Sequence, residues 1–202
     1  MIVHDVIQGS QEWLDIRVGV ITASEFNKVL TPKTKKLSEQ AKSIERKIAA
    51  QRLIEEDEVE FFGNAWTDRG NEYEDEAVSL YEILKECEAQ KVGFITNDDL
   101  TIGCSPDRLI GEDGGLEIKC PSAHNHINFL LDKNVEEEYR CQVQGCLMVT
   151  GRKWWDVMSY HPKLPPVIKR VERDEEFINA LSEALEQLLI NINETIERVE
   201  AA

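Results

Sequence analysis

The sequence predicts an α/β fold in which a small, largely antiparallel or mixed β-sheet is flanked by α-helices. Three observations predict it. Apolar residues recur at helical spacing in three long segments, near 37–56, 68–88 and 174–199. Between the second and third, short alternating runs rich in β-branched and aromatic residues are separated by glycine-bearing turns. The resulting order of helices, strands, helix, strand and helix suits a sheet layer covered by helices. No internal repeat, low-complexity segment or interdomain linker interrupts it, so residues 1–202 are read as one domain.

In chain order, "WLDIRVGVITASEF" opens with a turn-like segment, and Thr22 or Ser24 can cap a short helix. "TPKTKK" reads as a basic loop. Leu37, Ala41, Ile44, Ile48 and Leu53 form the inner stripe of a helix to about Glu56. "FFGNAWTDRG" reads as a connection. From Asp68 to Glu88, Tyr73, Ala77, Leu80, Tyr81 and Leu84 line a second helix. "KVGFIT" and "TIGCSPDRLI" alternate as strands, and "GEDGG" turns the chain back into "LEIKC". A polar stretch follows, then a helix near 136–149. "KWWDVMSY" is a strand by alternation and aromatic content. "HPKLPP" breaks the chain before a long helix with Phe177, Leu181, Leu185, Leu188, Ile192 and Ile196 inside.

Composition narrows the class. Hydrophobic residues at 42% and charged residues at 31% place the chain among globular proteins, not disordered ones. No run approaches the roughly 20 apolar residues of a membrane helix, and "MIVHDVIQGSQEW" lacks the features of a signal peptide. Cys87, Cys104, Cys120, Cys141 and Cys146 form an odd set without C-x-x-C, which predicts reduced thiols in a cytoplasm and no zinc or iron–sulfur cluster. The net charge of −16 is unevenly spread. Arg17–Arg52 holds nine Lys/Arg against three Glu, whereas Glu55–Glu88 holds thirteen acids against two bases and Glu172 to the end nine against two. A polyanion can meet the basic segment while the acidic surfaces face away.

"CSPDRLIGEDGGLEIKCP" carries the chemistry. On a strand, Glu117 and Lys119 share one face while Leu116, Ile118 and Cys120 share the other. A half-solvated strand with an exposed ion pair also fits that alternation. Pro106 marks a strand edge or bulge before Asp107. Asp107 and Glu117 are joined by a hairpin, and two converging carboxylates call for a cation between them. Mg²⁺ suits two carboxylates and a carbonyl. Convergence depends on a hairpin register that a one-residue slip would reverse. Glu74 falls on the border of the apolar face of its helix, where a carboxylate either finds a partner or metal or reaches to water.

These residues resemble the metal site of the PD-(D/E)XK nuclease superfamily, with Asp107, Glu117 and Lys119 in the P-D…E-x-K places. The blocks "WLDIRVGVITASEF", "RGNEYEDEA" and "CQVQGCLMVTGRKWWDVMSY", and the acidic helix after "VIKRVERDE", follow in the order of the lambda exonuclease and YqaJ-like viral recombinase family. The resemblance implies a PD-(D/E)XK-like core and a role for each residue. Asp107, Glu117 and the Ile118 carbonyl would hold Mg²⁺, with Mn²⁺ able to substitute. Lys119 would orient or deprotonate the attacking water and stabilise charge on the phosphate. Glu74 would hold waters around the metal, and Gln142 would orient water or Lys119. Arg17, Ser24 and Ser105 would grip the 5′-phosphate of the DNA. One departure is visible: Asn97 stands where lambda exonuclease has a further aspartate.

The implied function is Mg²⁺-dependent 5′→3′ digestion of one strand of linear duplex DNA, leaving 3′ single-stranded overhangs for recombination by strand annealing. The family further implies a homotrimeric ring and a single-strand annealing partner. Competing readings are a PD-(D/E)XK endonuclease or single-strand nuclease, and a catalytically silent acidic partner in DNA processing. His124 and His126 are read as surface histidines of a polar loop, and at least one of Trp154 and Trp155 as core.

Overall fold

The computed structural model describes residues 1–31, 34–56, 65–131 and 134–202, with the backbone alone for 65–72. The chain opens with strand β1 (Ile2–His4) and helix α1 (Gln11–Asp15), capped by the Ser10 hydroxyl, which accepts from the Trp13 amide. Strand β2 (Ile21–Thr22) leads through a tight turn at 23–25 into α2 (Phe26–Val29). Thr22 stands at the expected cap position, but its hydroxyl lies 3.2 Å from that of Ser24 and makes no capping bond. A ribbon of β3 (Leu30–Thr31) and β4 (Lys36–Leu37) precedes α3 (Ala41–Ile54), so Leu37 belongs to a strand and not to the helix. Pro32 and Lys33 of the expected basic loop lie outside the described residues.

Helix α4 (Ala65–Lys85) starts earlier than expected. Of the expected connection at 61–70, residues 61–64 lie outside the described residues and 65–70 are helical. Leu84, expected on the inner face, is exposed in the last turn of the helix. The strands β5 (Ala89–Gln90), β6 (Phe94–Thr96), β7 (Ile102–Cys104), β8 (Arg108–Ile110) and β9 (Gly114–Lys119) follow. The polar stretch after Pro121 is helix α5 (Ala123–Leu131). The next expected helix is divided into α6 (Val135–Glu138) and α7 (Arg140–Thr150). Then come β10 (Trp154–Ser159), β11 (Val167–Glu172) and α8 (Glu175–Glu200). The sequence reading overlooked β1, the two-residue strands β2 to β5, and β11, the last because its exposed Lys169, Arg170 and Glu172 dilute the apolar signal, as is common on protected sheet edges.

The strands divide into two mixed sheets and the β3–β4 ribbon. One sheet has the order β1-β6-β7-β2 and the other β11-β10-β9-β8-β5. The run expected as one strand, "TIGCSPDRLI", supplies a strand to each: β7 ends at Cys104 and β8 begins at Arg108. Pro106, with no N–H to give a ladder, sits in the crossing between the sheets. Strands β9 and β10 are parallel, which needs the long helical crossover that α5–α7 provide.

The β9–β10 register is set by a pair of close contacts. Gly114 and Gly115 face Trp154 and Trp155, and a Cβ built on them would come within 2.1 Å and 2.4 Å of the indole rings. The two glycines of "EDGG" are therefore required by the two tryptophans. Trp155 is fully buried, and the Arg170 guanidinium lies 3.6 Å above the Trp154 ring centroid. Below them, Leu116, Ile118 and Met158 pack with Ala77, Val78 and Tyr81 of α4. The opposite face, with Trp155 and Val157, belongs to the larger core built by α2, α3, α7 and α8. Glu117 is paired in register with Val157 and so points toward this second face. Helix α8 packs against α3, with Thr195 donating to Glu45 and Lys35 to Glu176. Part of the acidic C-terminal segment thus lies beside the basic one instead of facing away from it.

Candidate active site

The site forms where β8 and β9 stop pairing. Their ladder runs from Ile110↔Gly114 to Arg108↔Leu116. Beyond it the chain bends at Pro106, and the Asp107 carboxylate takes over the ladder's role by accepting the Ile118 N–H at 2.5 Å. In a strand the N–H and C=O of one residue point to the same side, and the Lys119 carbonyl is turned the other way, toward the Tyr160 N–H. The Ile118 carbonyl therefore faces the Asp107 side of the fork.

Glu117 is buried at 2% exposure, so the exposed-pair reading of the E-x-K alternation does not hold. Its Oε1 accepts from Gln142 Nε2 at 2.7 Å and pairs with Lys119 Nζ at 2.6 Å. Lys119 reaches Gln142 Oε1 at 3.5 Å and lies 4.7 Å from the centre of the Tyr139 ring. Gln142 lies in the first turn of α7, with its amide against both Glu117 and Lys119. Burial, then the neighbouring Glu117 charge, holds the Asp107 carboxyl well above the usual carboxylate range, opposed by Lys119 and the Ile118 amide. Burial lowers the Lys119 pKa, but the charges of Glu117 and Asp107 and the bond to Glu117 outweigh it, and the ammonium is held above its usual value.

Glu117 Oε2 is buried with no hydrogen-bond partner among the described residues. A bare carboxylate oxygen in a dry position is costly unless a cation completes it. With Asp107 and the Ile118 carbonyl it makes an all-oxygen donor set, which fits a hard divalent ion. Among the described residues no group of three or more His, Cys, Asp or Glu side chains could hold a metal, so the set rests on two carboxylates and a backbone oxygen.

Glu74 does lie at a boundary, half-buried on α4, and the structure supplies its partner: Arg108 Nη1 donates to Glu74 Oε1 at 2.6 Å. The sequence reading missed Arg108. The signal was present, because Glu74 needed a partner and Arg108 directly follows Asp107. Asn97 is consumed locally, its Oδ1 accepting the Thr101 and Ile102 amides and its Nδ2 donating to Thr101.

A second cluster lies beside the first. Arg17 Nη1 and Trp13 Nε1 both donate to Ser105 Oγ, at 3.2 and 3.0 Å, and the Arg17 guanidinium stacks 3.7 Å from the Trp13 ring centroid. Trp13 was not singled out from the sequence, although it stands four residues before Arg17. The turn that follows is anchored by α3: Gly19, at φ +74°, donates to Gln51 Oε1 and accepts from Arg52 Nε, each at 3.0 Å. Ser24 is exposed in the turn that follows β2, and its printed contact is with the Thr22 hydroxyl, at 3.2 Å, not with Ser105.

His124 is exposed as expected, but His126 is not a surface residue. It is fully buried on the inner face of α5, bonded to Ser159 Oγ at 2.7 Å and to the Pro165 carbonyl at 2.9 Å. Helical periodicity places it with Phe129, a pattern hidden by the polar residues around it. All five cysteines are free. Among the described residues no helix is long and apolar enough to cross a membrane.

A model of the YqaJ-like viral recombinase domain matches residues 12–153. The crystal structure of an alkaline exonuclease from Laribacter hongkongensis is similar over 95% of this chain and 97% of that one, at 30% identity and a TM-score of 0.85, and its complex with dAMP aligns equally well. A phage-related exonuclease from Haemophilus somnus 129PT shares the fold, at 18% identity and a TM-score of 0.73 over 89% of this chain and 96% of that one. No curated protein matches the sequence. The fold is that of the PD-(D/E)XK nucleases, and the strand fork with its Asp107, Glu117 and Lys119 belongs to a chain that is a member of the YqaJ-like viral recombinase family.

Proposed function

We propose that this protein is a divalent-metal-dependent 5′→3′ exonuclease that digests one strand of linear duplex DNA and leaves 3′ single-stranded overhangs for recombination by strand annealing. The observation that carries the reading is the buried, unpartnered Oε2 of Glu117 beside Asp107. Asp107, Glu117 and the Ile118 carbonyl would hold Mg²⁺, or Mn²⁺ in its place, and the ion would supply charge neutralisation at the scissile phosphate. Lys119, kept at the mouth of the site by Glu117 and Gln142, orients the attacking water and stabilises charge on the phosphate oxygens. Glu74 bounds the site from α4.

The second cluster supports the proposed polarity. Arg17, Ser105 and Ser24 offer a guanidinium and two hydroxyls, the donors a terminal phosphate takes. Ser105 lies two residues before Asp107, in the crossing between the two sheets at Pro106. A 5′-phosphate held there leaves the next linkage near the carboxylates. The Laribacter structure with dAMP, a nucleoside monophosphate of the kind such a reaction releases, supports this reading. The family supports a single exonuclease domain over 1–202, a homotrimeric ring, a single-strand annealing partner and action in the cytoplasm of a bacterium or phage-infected cell.

The test is release of mononucleotides from a 5′-phosphorylated linear duplex and from a covalently closed circle of the same sequence. Metal-dependent release from the linear form alone, with a particle of three times the chain mass, is expected. Nicking of the circle would replace this reading with an endonuclease, and preference for single strands with a single-strand nuclease. Asp107→Asn should abolish release yet leave melting without metal unchanged or raised, because it removes a ligand and a repelling charge while Asn can still accept the Ile118 N–H.

A further inference from the structure

Ser105, Pro106 and Asp107 are consecutive, and the two outer ones serve different clusters. The Ser105 hydroxyl accepts from Trp13 Nε1 and Arg17 Nη1, and the Asp107 carboxylate accepts the Ile118 N–H. The carbonyl between them is held by a third group: Gln8 Nε2 donates to the oxygen of buried Pro106 at 2.8 Å and to that of Val92 at 2.9 Å. Both carbonyls lie outside the strands, Val92 just before β6 and Pro106 between β7 and β8. Both are acceptors, so the nitrogen of the Gln8 amide must face them, and its two N–H groups match the two oxygens. Gln8 is itself firmly seated. The chain before it runs as β1 along β6, and a Cβ on Gly93 would come within 2.2 Å of the Val6 carbonyl oxygen. Two residues after it, Ser10 caps α1, which carries Trp13 and leads to Arg17.

We propose that Gln8 is a positioning residue that fixes the Ser105 cluster relative to the carboxylates, so that a 5′-phosphate held at Ser105 presents the next linkage to Asp107 at reacting distance. The proposal rests on the reading that Arg17 and Ser105 hold a 5′-phosphate and that Asp107 holds a metal ion. The backbone dihedrals support it. The proline ring fixes φ of Pro106 at about −65°. The peptide that follows is planar, so the direction of its carbonyl sets the remaining angle, ψ. Gln8 pins that carbonyl. The next one, of Asp107, accepts from Arg108 Nη1 at 2.5 Å, and the Asp107 carboxylate is tied to Ile118. Without Gln8 the Pro106 carbonyl is free to turn. Ser105 and Asp107 then keep their own side-chain partners but lose their fixed relation. Reaction demands that relation, since a misplacement of about 1 Å remote from the chemistry costs roughly 100-fold in rate. Gln8 needs no contact with DNA or metal for this role.

The test compares binding with chemistry on 5′-phosphorylated and 5′-hydroxyl duplex ends, using the full chain. Gln8→Met removes both donors, and Gln8→Glu turns oxygens toward the two carbonyls. Both variants should keep the wild-type affinity for the phosphorylated end, measured with Ca²⁺ in place of Mg²⁺, because Arg17, Trp13 and Ser105 are untouched. Their single-turnover rate on that end with Mg²⁺ should fall about 10–100-fold. The ratio of rates on phosphorylated and hydroxyl ends should narrow. That ratio does not depend on the folded fraction, so instability alone leaves it unmoved. Gln8→Asn, one methylene shorter, keeps both N–H groups and is the milder variant if the others do not fold; its ratio should lie between those of the wild type and Gln8→Met. An unchanged ratio in variants of a wild type that prefers phosphorylated ends overturns the proposal alone. Lost affinity for the phosphorylated end also overturns it and makes Gln8 part of the phosphate pocket. A wild type without any preference overturns the reading of the Ser105 cluster, and the proposal with it.

Discussion

Lys119 and Glu117 meet at 2.6 Å on one face of β9, yet the carboxylate side chain is 3% exposed and the ammonium side chain 26%. The acid is sunk against α7 and the base stands at the opening. That asymmetry fits the two proposed roles, a buried acid holding a cation and a half-exposed ammonium meeting a substrate.

Lys119→Met is expected to slow the chemical step far more than it weakens DNA binding, since its proposed role is at the transition state. Affinity measured with Ca²⁺ replacing Mg²⁺ should be nearly unchanged. Gln142→Ala, which removes the amide between Glu117 and Lys119, should cost about 10–100-fold in rate, as loss of a ligand-orienting partner does. Single-turnover rates with both variants check this; a normal rate with collapsed affinity would make Lys119 a phosphate anchor only.

Arg17→Ala should narrow the preference for 5′-phosphorylated over 5′-hydroxyl ends, chiefly by slowing the phosphorylated substrate. Trp13→Phe keeps a ring under Arg17 but loses the Nε1 bond to Ser105, so its effect should be in the same direction and smaller. Initial rates on both ends at two salt concentrations decide the matter. A uniform loss on both substrates would reassign Arg17 to a diffuse basic surface.

Gly115→Ala places a methyl group 2.4 Å from the Trp155 ring, inside the core, with backbone on either side. Overpacking of this kind costs about 1–3 kcal/mol or more. Urea denaturation should show the loss, and because the same contact sets the β9–β10 register, cleavage should fall as well.

Asp174 caps α8, accepting the Phe177 amide at 3.1 Å and pairing with Arg140. The backbone bond first, then Arg140, hold its carboxyl below the usual range, against some burial. A depressed folded value contributes stability that is fully present above the unfolded pKa, about 3.9, and is lost as pH falls through the folded one. Asp174→Ala should cost about 1 kcal/mol near neutral pH. The gap between wild type and Asp174→Asn should narrow below pH 4 in thermal melts.

Local chemistry was enough to find much of this protein. The spacing of Phe177, Leu181, Leu185, Leu188 and Ile192 specifies α8, and all five are buried as expected. The alternation of Leu116, Glu117, Ile118 and Lys119 specifies which residues of β9 share a face, because that period belongs to the strand itself. Pro106 marks a break in the strand run for an equally local reason, its missing N–H. What local chemistry could not decide was where the pieces meet. That "TIGCSPDRLI" feeds two sheets, that Asp107 accepts the Ile118 amide, and that Arg108 claims Glu74 from a helix 34 positions earlier in the chain all depend on strand order and register. So does the burial of His126, whose partners Ser159 and Pro165 lie 33 and 39 positions further along. Side-chain periodicity is a property of a few consecutive residues, whereas the neutralisation of a buried charge depends on whichever group the packed chain brings within hydrogen-bond reach.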